Sequence, residues 1–246
     1  MNEIGNNHTF SVVIPVHNEA GNIASLLSEI RCVLDPIAEY EVVCVNDGSS
    51  DETLSELLKV TEDYPRLRIM THERCCGQSA ALKTGVDAAR GTWIITLDGD
   101  GQDDPNSIPE LIRAAMDSDD SSVMVCGHRV HRRDDFTRRL SSRLARAGRA
   151  VLLGDSTPDA GCGLKLFPKR SFQELPFFDH MHRFLPALMR SCGVEVISVP
   201  VNHRPRARGV SHYGIGNRLW TTIADLFGVM WLQRRMRQRQ AKEIEK

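Results

Sequence analysis

The chain has 246 residues, 41% hydrophobic and 26% charged, which is the composition of a soluble globular protein with one α/β domain or slightly more. Its formal net charge of −1 excludes a global basic signature of nucleic-acid binding. The seven scattered cysteines predict reduced core thiols rather than a disulfide framework. The polar N-terminal residues lack the layout of a signal peptide, and no apolar run reaches the roughly 18–20 residues that span a bilayer. We therefore expect a cytoplasmic protein without a nucleic-acid partner.

Apolar, β-branched segments alternate with segments of helical periodicity in the first half of the chain. Strands are predicted at residues 11–16, 41–46, 67–71 and 93–97, with helices beginning near Ile23, Asp51, Gln78 and Ser107. This alternation predicts an α/β fold with a mostly parallel, Rossmann-like sheet and helices on both faces.

The second half continues the alternation less regularly. It predicts a strand at 123–126, an arginine-rich helix at 136–153, a glycine-rich turn from Asp159 into a strand, a helix at 181–192, a strand at 194–199 and a basic loop at 201–216. We expect one catalytic domain over residues 10–214 and a C-terminal appendage over residues 215–246.

Polar turns follow three of the predicted strands. They carry Asn18 with Glu19, then Asp47, then Asp98 with Asp100. Because the carboxyl ends of parallel strands meet at one edge of the sheet, where ligands collect, these turns are expected to form one site.

The pair Asp98 and Asp100 is the strongest chemical signal. Carboxylates at i and i+2 of an extended chain point the same way, about 6–7 Å apart. They repel unless a cation lies between them, and oxygen ligands suit Mg²⁺ or Mn²⁺ rather than zinc. An isolated Asp-x-Asp would otherwise indicate a solvated acidic turn.

Four motifs in this order resemble family 2 glycosyltransferases. They are Ser11–Glu19 (S-V-V-I-P-V-H-N-E), Val45–Asp51 (V-N-D-G-S-S-D), Gly77–Ala81 (G-Q-S-A-A) and Leu97–Pro105 (L-D-G-D-G-Q-D-D-P). Within that family the chain is similar to polyprenyl-phosphate glycosyltransferases of the dolichol-phosphate mannose synthase type. The resemblance covers roughly residues 10–214 and implies a GT-A fold. The chain departs from the pattern at Val16, where an aromatic is frequent, and at His212, where lysine is usual.

The resemblance also implies roles for individual residues. Those expected to bind the nucleotide sugar are Pro15, Asn18, Glu19, Asp47, Asp98, Gln102, Arg206 and Ser211. Those expected to hold Mg²⁺ or Mn²⁺ against the donor diphosphate are Asp98, Asp100 and Gln102. Asp98, Asp100 and Arg206 are the expected catalytic residues, with Arg206 closing over the diphosphate.

The presence or absence of a general base indicates which kind of acceptor the enzyme uses. A hydroxyl acceptor needs one, whereas a phosphate monoester is already anionic and needs cations instead. Residues 174–182 lack the Glu-Asp element that relatives acting on hydroxyls commonly carry. A polyprenyl phosphate bound by Arg129 and the arginines after it is therefore favoured. Transfer to a hydroxyl, with Asp179 or Asp103 as base, remains the alternative.

Other classes of protein fit less well. A nucleotidyltransferase also uses paired aspartates, but this chain has no glycine-rich basic loop near its N-terminus. A dinucleotide-binding oxidoreductase would carry G-x-G-x-x-G after the first strand, where this chain has Pro15–Glu19 instead. A non-catalytic membrane adaptor would tolerate loss of the aspartates.

The C-terminal region predicts membrane association. An apolar stripe at helical spacing is formed by Leu219, Trp220, Ile223, Leu226, Phe227, Met230 and Trp231. Arginines follow it, which suits an amphipathic helix lying on anionic lipid at the cytoplasmic face of the cell membrane. The same stripe would also suit docking on the catalytic domain or on a separate integral-membrane subunit.

Overall fold

The protein was analysed as a computed structural model that describes residues 9–118, 122–130, 147–205 and 215–236. Seven strands form one sheet in the order β3-β2-β1-β4-β6-β5-β7. Their bounds are β1 Thr9–Val16, β2 Glu39–Asp47, β3 Leu67–His72, β4 Trp93–Thr96, β5 Val123–Arg129, β6 Lys165–Pro168 and β7 Glu195–Val201. The first four strands are parallel, β5 and β7 are parallel to each other, and β6 runs antiparallel between β4 and β5. The predicted mostly parallel α/β sheet is confirmed.

Helices cover both faces of this sheet. They are α1 Ile23–Leu34, α2 Thr53–Thr61, α3 Gln78–Ala88, α4 Ile108–Met116, the helical residues 147–153 (α5), α6 Lys169–Gln173, α7 Leu185–Ser191 and α8 Ile215–Arg235. Residues 136–146 of the predicted arginine-rich helix lie outside the described residues. The predicted helix at 181–192 is divided into a 3₁₀ turn, Met181–Arg183, and α7. Pro186 lies in the first turn of α7, where its missing N–H is not needed.

The alternation of side chains along β1 divides the core into two layers. Val12 and Ile14 pack in the layer that contains α1 and α4, whereas Val13 points to the layer that contains α3 and α7. All three side chains are fully buried. With both faces covered, ligands have access to the sheet mainly at its edge, where the strands end.

The C-terminal helix α8 packs on the second of these layers. Val229 is 2% exposed, and Leu226 and Met230 pack beside it. Phe227 and Trp231 point away and are 53% and 60% exposed. The predicted stripe is thus divided: Leu226 and Met230 pack on the domain, and Phe227 and Trp231 are exposed. Helical spacing alone does not define which of these side chains are covered. Leu219 and Trp220 belong to the part of α8 whose side chains are not described.

A hydrogen-bonded side chain fixes the end of α8. Gln233 Nε2 donates to the carbonyl oxygens of Leu153 and Ala187, at 3.3 and 3.1 Å, and so joins α8 to α5 and α7. None of the helices in the described part of the chain combines the length and hydropathy needed to cross a bilayer.

Candidate active site

The turns after β1 and β2 are joined by hydrogen bonds at one edge of the sheet. Asn18 has a left-handed backbone, φ 56°, and its Oδ1 accepts from the Ser50 amide at 2.8 Å. Glu19 donates its backbone N–H to Thr53 Oγ1 at 2.9 Å. Pro15 lies just before, where β1 reaches the cavity described below. These contacts confirm that the turns meet, and the nucleotide-binding roles of Pro15, Asn18 and Glu19 stay predictions.

The carboxylate of Asp47 organises the loop before α3. It accepts from the backbone amides of Cys76 and Gly77, each at 2.8 Å, and from His72 Nδ1 at 2.7 Å. Burial raises the pKa of Asp47, but the hydrogen bonds from Cys76 and His72 outweigh burial and hold it below its usual value. Asp47 therefore anchors this loop, and its role in binding the nucleotide sugar remains a prediction.

The acidic turn after β4 has two carboxylates held close together. Asp98 Oδ1 accepts from Gln78 Nε2 at 2.8 Å, and the Asp98 amide donates to Asp103 Oδ2 at 3.3 Å. Burial, together with the negative charges of Asp103 and Asp100, raises the pKa of Asp98 to about 7. Burial also raises the pKa of Asp103, which is only 3% exposed. A buried cluster of this kind favours a bound cation.

Gly163 closes this cluster from the glycine-rich turn before β6. A Cβ at this position would lie 2.6 Å from Asp98 Cγ and 2.7 Å from Asp98 Oδ2, and closer still to Asp103 Oδ2. The turn is fixed on β4 by Thr96 Oγ1, which donates to the Gly163 carbonyl at 2.6 Å. Only glycine leaves room for both carboxylates.

The rest of the acidic turn is fixed by the chain that follows β7. The backbone N–H of Gln102 donates to Asp100 Oδ1 at 3.1 Å, and the backbone carbonyl of Gln102 accepts from the backbone N–H of Arg204 at 2.9 Å. Asp103 forms a single antiparallel bridge to His203. Arg206 and Ser211, predicted to close over the diphosphate, lie outside the described residues.

The donor set fits a hard divalent ion. Asp98, Asp100 and Gln102, the predicted metal ligands, offer side-chain oxygens from one turn, and the raised pKa of Asp98 indicates charge that a cation would neutralise. A second group of possible ligands is Asp47, His72 and Cys76, whose ligand atoms all lie within 4.8 Å of one another. Both oxygens of Asp47 already accept backbone N–H groups, whereas in the acidic turn this is shown for Asp100 Oδ1 and Asp103 Oδ2, so we take the turn at Asp98 as the candidate metal site.

We expect metal binding to depend on pH around the raised pKa of Asp98. In the folded protein this carboxyl is protonated below pH 7, whereas in the unfolded chain it ionises near 3.8. Without a cation, stability is therefore lost as pH rises from about 4 to 7, and Mn²⁺ restores it. At pH 6 protons should weaken Mn²⁺ affinity about tenfold relative to pH 8. Calorimetric titration at both values measures this, and equal affinities would contradict it.

A cavity of about 770 Å³ opens beside the acidic turn. Its polar lining includes Gln78, Asp98, Arg149, Lys165, Asp179, His182 and Arg183. Its apolar lining includes Leu82, Phe184, Leu185, Ile223 and Leu226. The last two belong to α8, which is also tied to the rim by His180 Nδ1 and Asp225 Oδ2, 2.9 Å apart. The cavity therefore brings the carboxylate of Asp98 and the apolar side chains of α8 into one lining.

Arg129 lies in a different environment from the one expected of an acceptor-phosphate ligand. Its Nε and terminal nitrogen donate to Asp159 Oδ2 and Oδ1 at 2.5 and 2.7 Å, a bidentate ion pair that is mostly buried. Arg149, one of the arginines that follow Arg129, does line the cavity. Binding of phosphate by Arg129 stays a prediction, with much of its charge already compensated.

Comparison with models of protein families identifies the family of this chain. The model of glycosyl transferase family 2 matches residues 11–176, and the chain belongs to that family. The resemblance drawn from the four motifs is confirmed.

Two relatives are polyprenyl-phosphate enzymes by name. The chain is 33% identical over 229 residues to the dodecaprenyl-phosphate galacturonate synthase of Rhizobium johnstonii, covering 91% of this chain and 67% of the relative. It is 34% identical over 208 residues to the undecaprenyl-phosphate 4-deoxy-4-formamido-L-arabinose transferase of Edwardsiella ictaluri, covering 83% and 63%. The chain thus spans about two thirds of the length of these relatives.

Solved structures agree with the fold. Glucosyl-3-phosphoglycerate synthase from Mycobacterium tuberculosis, in complex with Mn²⁺, UDP-glucose and phosphoglyceric acid, superimposes with a TM-score of 0.66 at 18% identity. The match covers 94% of this chain and 81% of that one. At this identity the likeness establishes the GT-A-like architecture alone.

Several residues of the site were not assigned a role from sequence. Gln78 belongs to a quoted motif, so its position at the start of α3 offered a signal. Gly163 and Lys165 belong to a glycine-rich turn and a short strand that resemble ordinary core structure. His182 and Arg183 lie on a 3₁₀ turn far along the chain, and only the fold brings them to the cavity.

Proposed function

We propose that this chain is an inverting, metal-dependent glycosyltransferase that moves a sugar from a nucleotide diphosphate donor to a polyprenyl phosphate. The observation that carries the proposal is the cavity, which is lined both by Asp98 and by the apolar side chains of Ile223 and Leu226. The two relatives named above act on polyprenyl phosphates, which supports the same class of acceptor here.

The residues of the acidic turn divide the chemistry between them. Asp98 and Asp100, with Gln102, would hold Mg²⁺ or Mn²⁺, which supplies Lewis-acid stabilisation of the departing diphosphate. Gln78 holds Asp98 in place through its 2.8 Å hydrogen bond. Arg206 would add fixed positive charge where the leaving group becomes more negative.

A phosphate acceptor explains why the cavity needs no dedicated base. The acceptor is already a nucleophilic anion at neutral pH, with a second pKa of about 6. Asp179 lines the same cavity and is 69% exposed, so transfer to a hydroxyl with Asp179 as base is the alternative. Asp103 is a weaker candidate because its carboxylate is buried against the Asp98 amide.

A panel of UDP- and GDP-sugars, each incubated with undecaprenyl phosphate and Mn²⁺, tests the proposal and identifies the donor. We expect one donor to give a lipid-phosphate sugar of inverted anomeric configuration. Asp179→Asn should retain that activity. Loss of transfer in Asp179→Asn, together with transfer to a lipid hydroxyl, would favour the alternative.

We further propose that the chain works at the cytoplasmic face of the membrane as a peripheral protein. The exposed side of α8 carries Phe227 and Trp231, with Arg234 and Arg235 exposed at its end. Aromatic and arginine side chains of this kind suit an anionic lipid interface. A separate integral-membrane subunit would use the same exposed side.

Flotation with vesicles separates these possibilities. Wild-type protein is expected to float with anionic vesicles, and the double variant Phe227→Ser with Trp231→Ser to stay in solution. The matched control is Leu58→Ser, because Leu58 is 54% exposed on α2, away from the cavity. Equal flotation of all three proteins would exclude α8 as the lipid anchor.

A further inference from the structure

Basic side chains that are not among the predicted metal ligands line the cavity. Lys165 is 6% exposed, and its ammonium donates to the Cys162 carbonyl. Arg183 is half-buried, and within the described part of the chain its guanidinium makes no hydrogen bond or ion pair. Arg149 differs from both, because its Nε lies 3.8 Å from the buried carboxylate of Asp155.

His182 lies within electrostatic reach of both Lys165 and Arg183. Burial, together with the positive charges of Arg183 and Lys165, lowers the pKa of His182 to about 3, so the ring is neutral at physiological pH. Ser79 Oγ accepts from the His182 amide at 3.3 Å and lies 2.8 Å from His182 Nδ1. In the tautomer with the ring proton on Nε2, the hydroxyl donates to Nδ1 and leaves Nε2–H as the free donor of the ring.

Charge balance shows what these groups are suited to bind. Lys165 lies close enough to Asp98 and Asp103 to lower the pKa of both carboxyls. Once a divalent ion neutralises Asp98, the charge of Lys165 is no longer balanced by that carboxylate. Two cations and one neutral N–H donor next to a metal-bound diphosphate match a phosphate monoester dianion.

We propose that Lys165, Arg183 and His182 form the subsite that binds the phosphate of the lipid acceptor. This inference rests on the proposed function and assigns its acceptor site to the cavity rather than to Arg129. The acceptor phosphate oxygen attacks the anomeric carbon of the sugar, and the bond from that carbon to the diphosphate breaks. Apolar residues of the same cavity, Ile223 and Leu226 among them, then face the first isoprene units.

Kinetics with farnesyl phosphate test this subsite. Arg183→Gln is expected to raise the KM for farnesyl phosphate at least tenfold, while the calorimetric affinity for UDP with Mn²⁺ changes less than twofold. Arg183→Lys should recover most of the loss. Lys165→Met, checked for folding by thermal melting, should act in the same direction. The matched control is Arg170→Gln, because the Arg170 side chain is 93% exposed on α6.

Three outcomes would overturn the subsite or the reaction separately. An unchanged KM for farnesyl phosphate in both variants overturns the subsite. A fall in UDP affinity as large as the rise in KM for farnesyl phosphate also overturns it, because Lys165 and Arg183 would then bind the donor. If wild-type protein transfers no sugar to farnesyl phosphate, the proposed function fails. In that case the subsite fails as well if Arg183→Gln binds farnesyl phosphate as tightly as wild type in calorimetry.

Discussion

Replacing Asp98 or Asp100 with asparagine is expected to lower sugar transfer by well over tenfold while the protein stays folded. Asparagine keeps the shape of each side chain but removes the negative charge that is proposed to hold the metal. Because the pKa of Asp98 is raised to about 7 by burial and by the charges of Asp103 and Asp100, removing its charge relieves repulsion. The melting temperature of metal-free Asp98→Asn should therefore be no lower than that of wild type.

Initial rates at saturating Mn²⁺ measure this effect, with Asp63→Asn as the control. Asp63 is an exposed carboxylate between α2 and β3, away from the site, and its variant should keep the wild-type rate. A variant at Asp98 or Asp100 that kept more than a tenth of the wild-type rate would lose less than about 1.4 kcal/mol of barrier lowering. That result would exclude the metal-binding role of the residue.

Replacing Gly163 with alanine should be nearly as damaging, although it adds only a methyl group. The new Cβ would lie 2.6 Å from Asp98 Cγ, so one or both carboxylates of Asp98 and Asp103 must move. We expect turnover to fall tenfold or more, Mn²⁺ affinity to fall with it, and unfolding to become easier by about 1–3 kcal/mol.

A glycine on α8 provides the control for this substitution. A Cβ at Gly228 would meet nothing within 4 Å, and alanine favours a helix over glycine by roughly 1 kcal/mol. Gly228→Ala should therefore keep the wild-type rate and have a slightly higher melting temperature. Unchanged turnover in Gly163→Ala would mean that the carboxylates tolerate displacement and do not form a tightly held site.

The acidic turn was predictable because its signal is local. Asp98 and Asp100 are two residues apart at the end of an apolar run, and parallel strands bring their ends to one edge. The same reasoning correctly brought the turns at Asn18 and Asp47 together. It did not show that the Asp47 carboxylate is occupied by the amides of Cys76 and Gly77, because that loop is specified by tertiary contacts.

The other half of the cavity was not predictable because its residues are brought there by the order of the strands. Lys165 begins β6, which lies between β4 and β5 and runs antiparallel to both. Arg183 and His182 reach the cavity from a short 3₁₀ turn that has no distinctive periodicity. For α8, spacing predicted an apolar stripe, but the packing of Val229 decides which side is buried.

Acceptor chemistry is tested most directly by comparing undecaprenyl phosphate with undecaprenol, using the same nucleotide sugar and Mn²⁺. The two lipids share their isoprenoid chain and differ only in the phosphate that is proposed to attack the sugar. Wild-type protein should form a lipid-phosphate sugar from undecaprenyl phosphate and no detectable product from undecaprenol. Transfer to undecaprenol at a comparable rate, or no transfer to undecaprenyl phosphate with any donor, would contradict the proposed function.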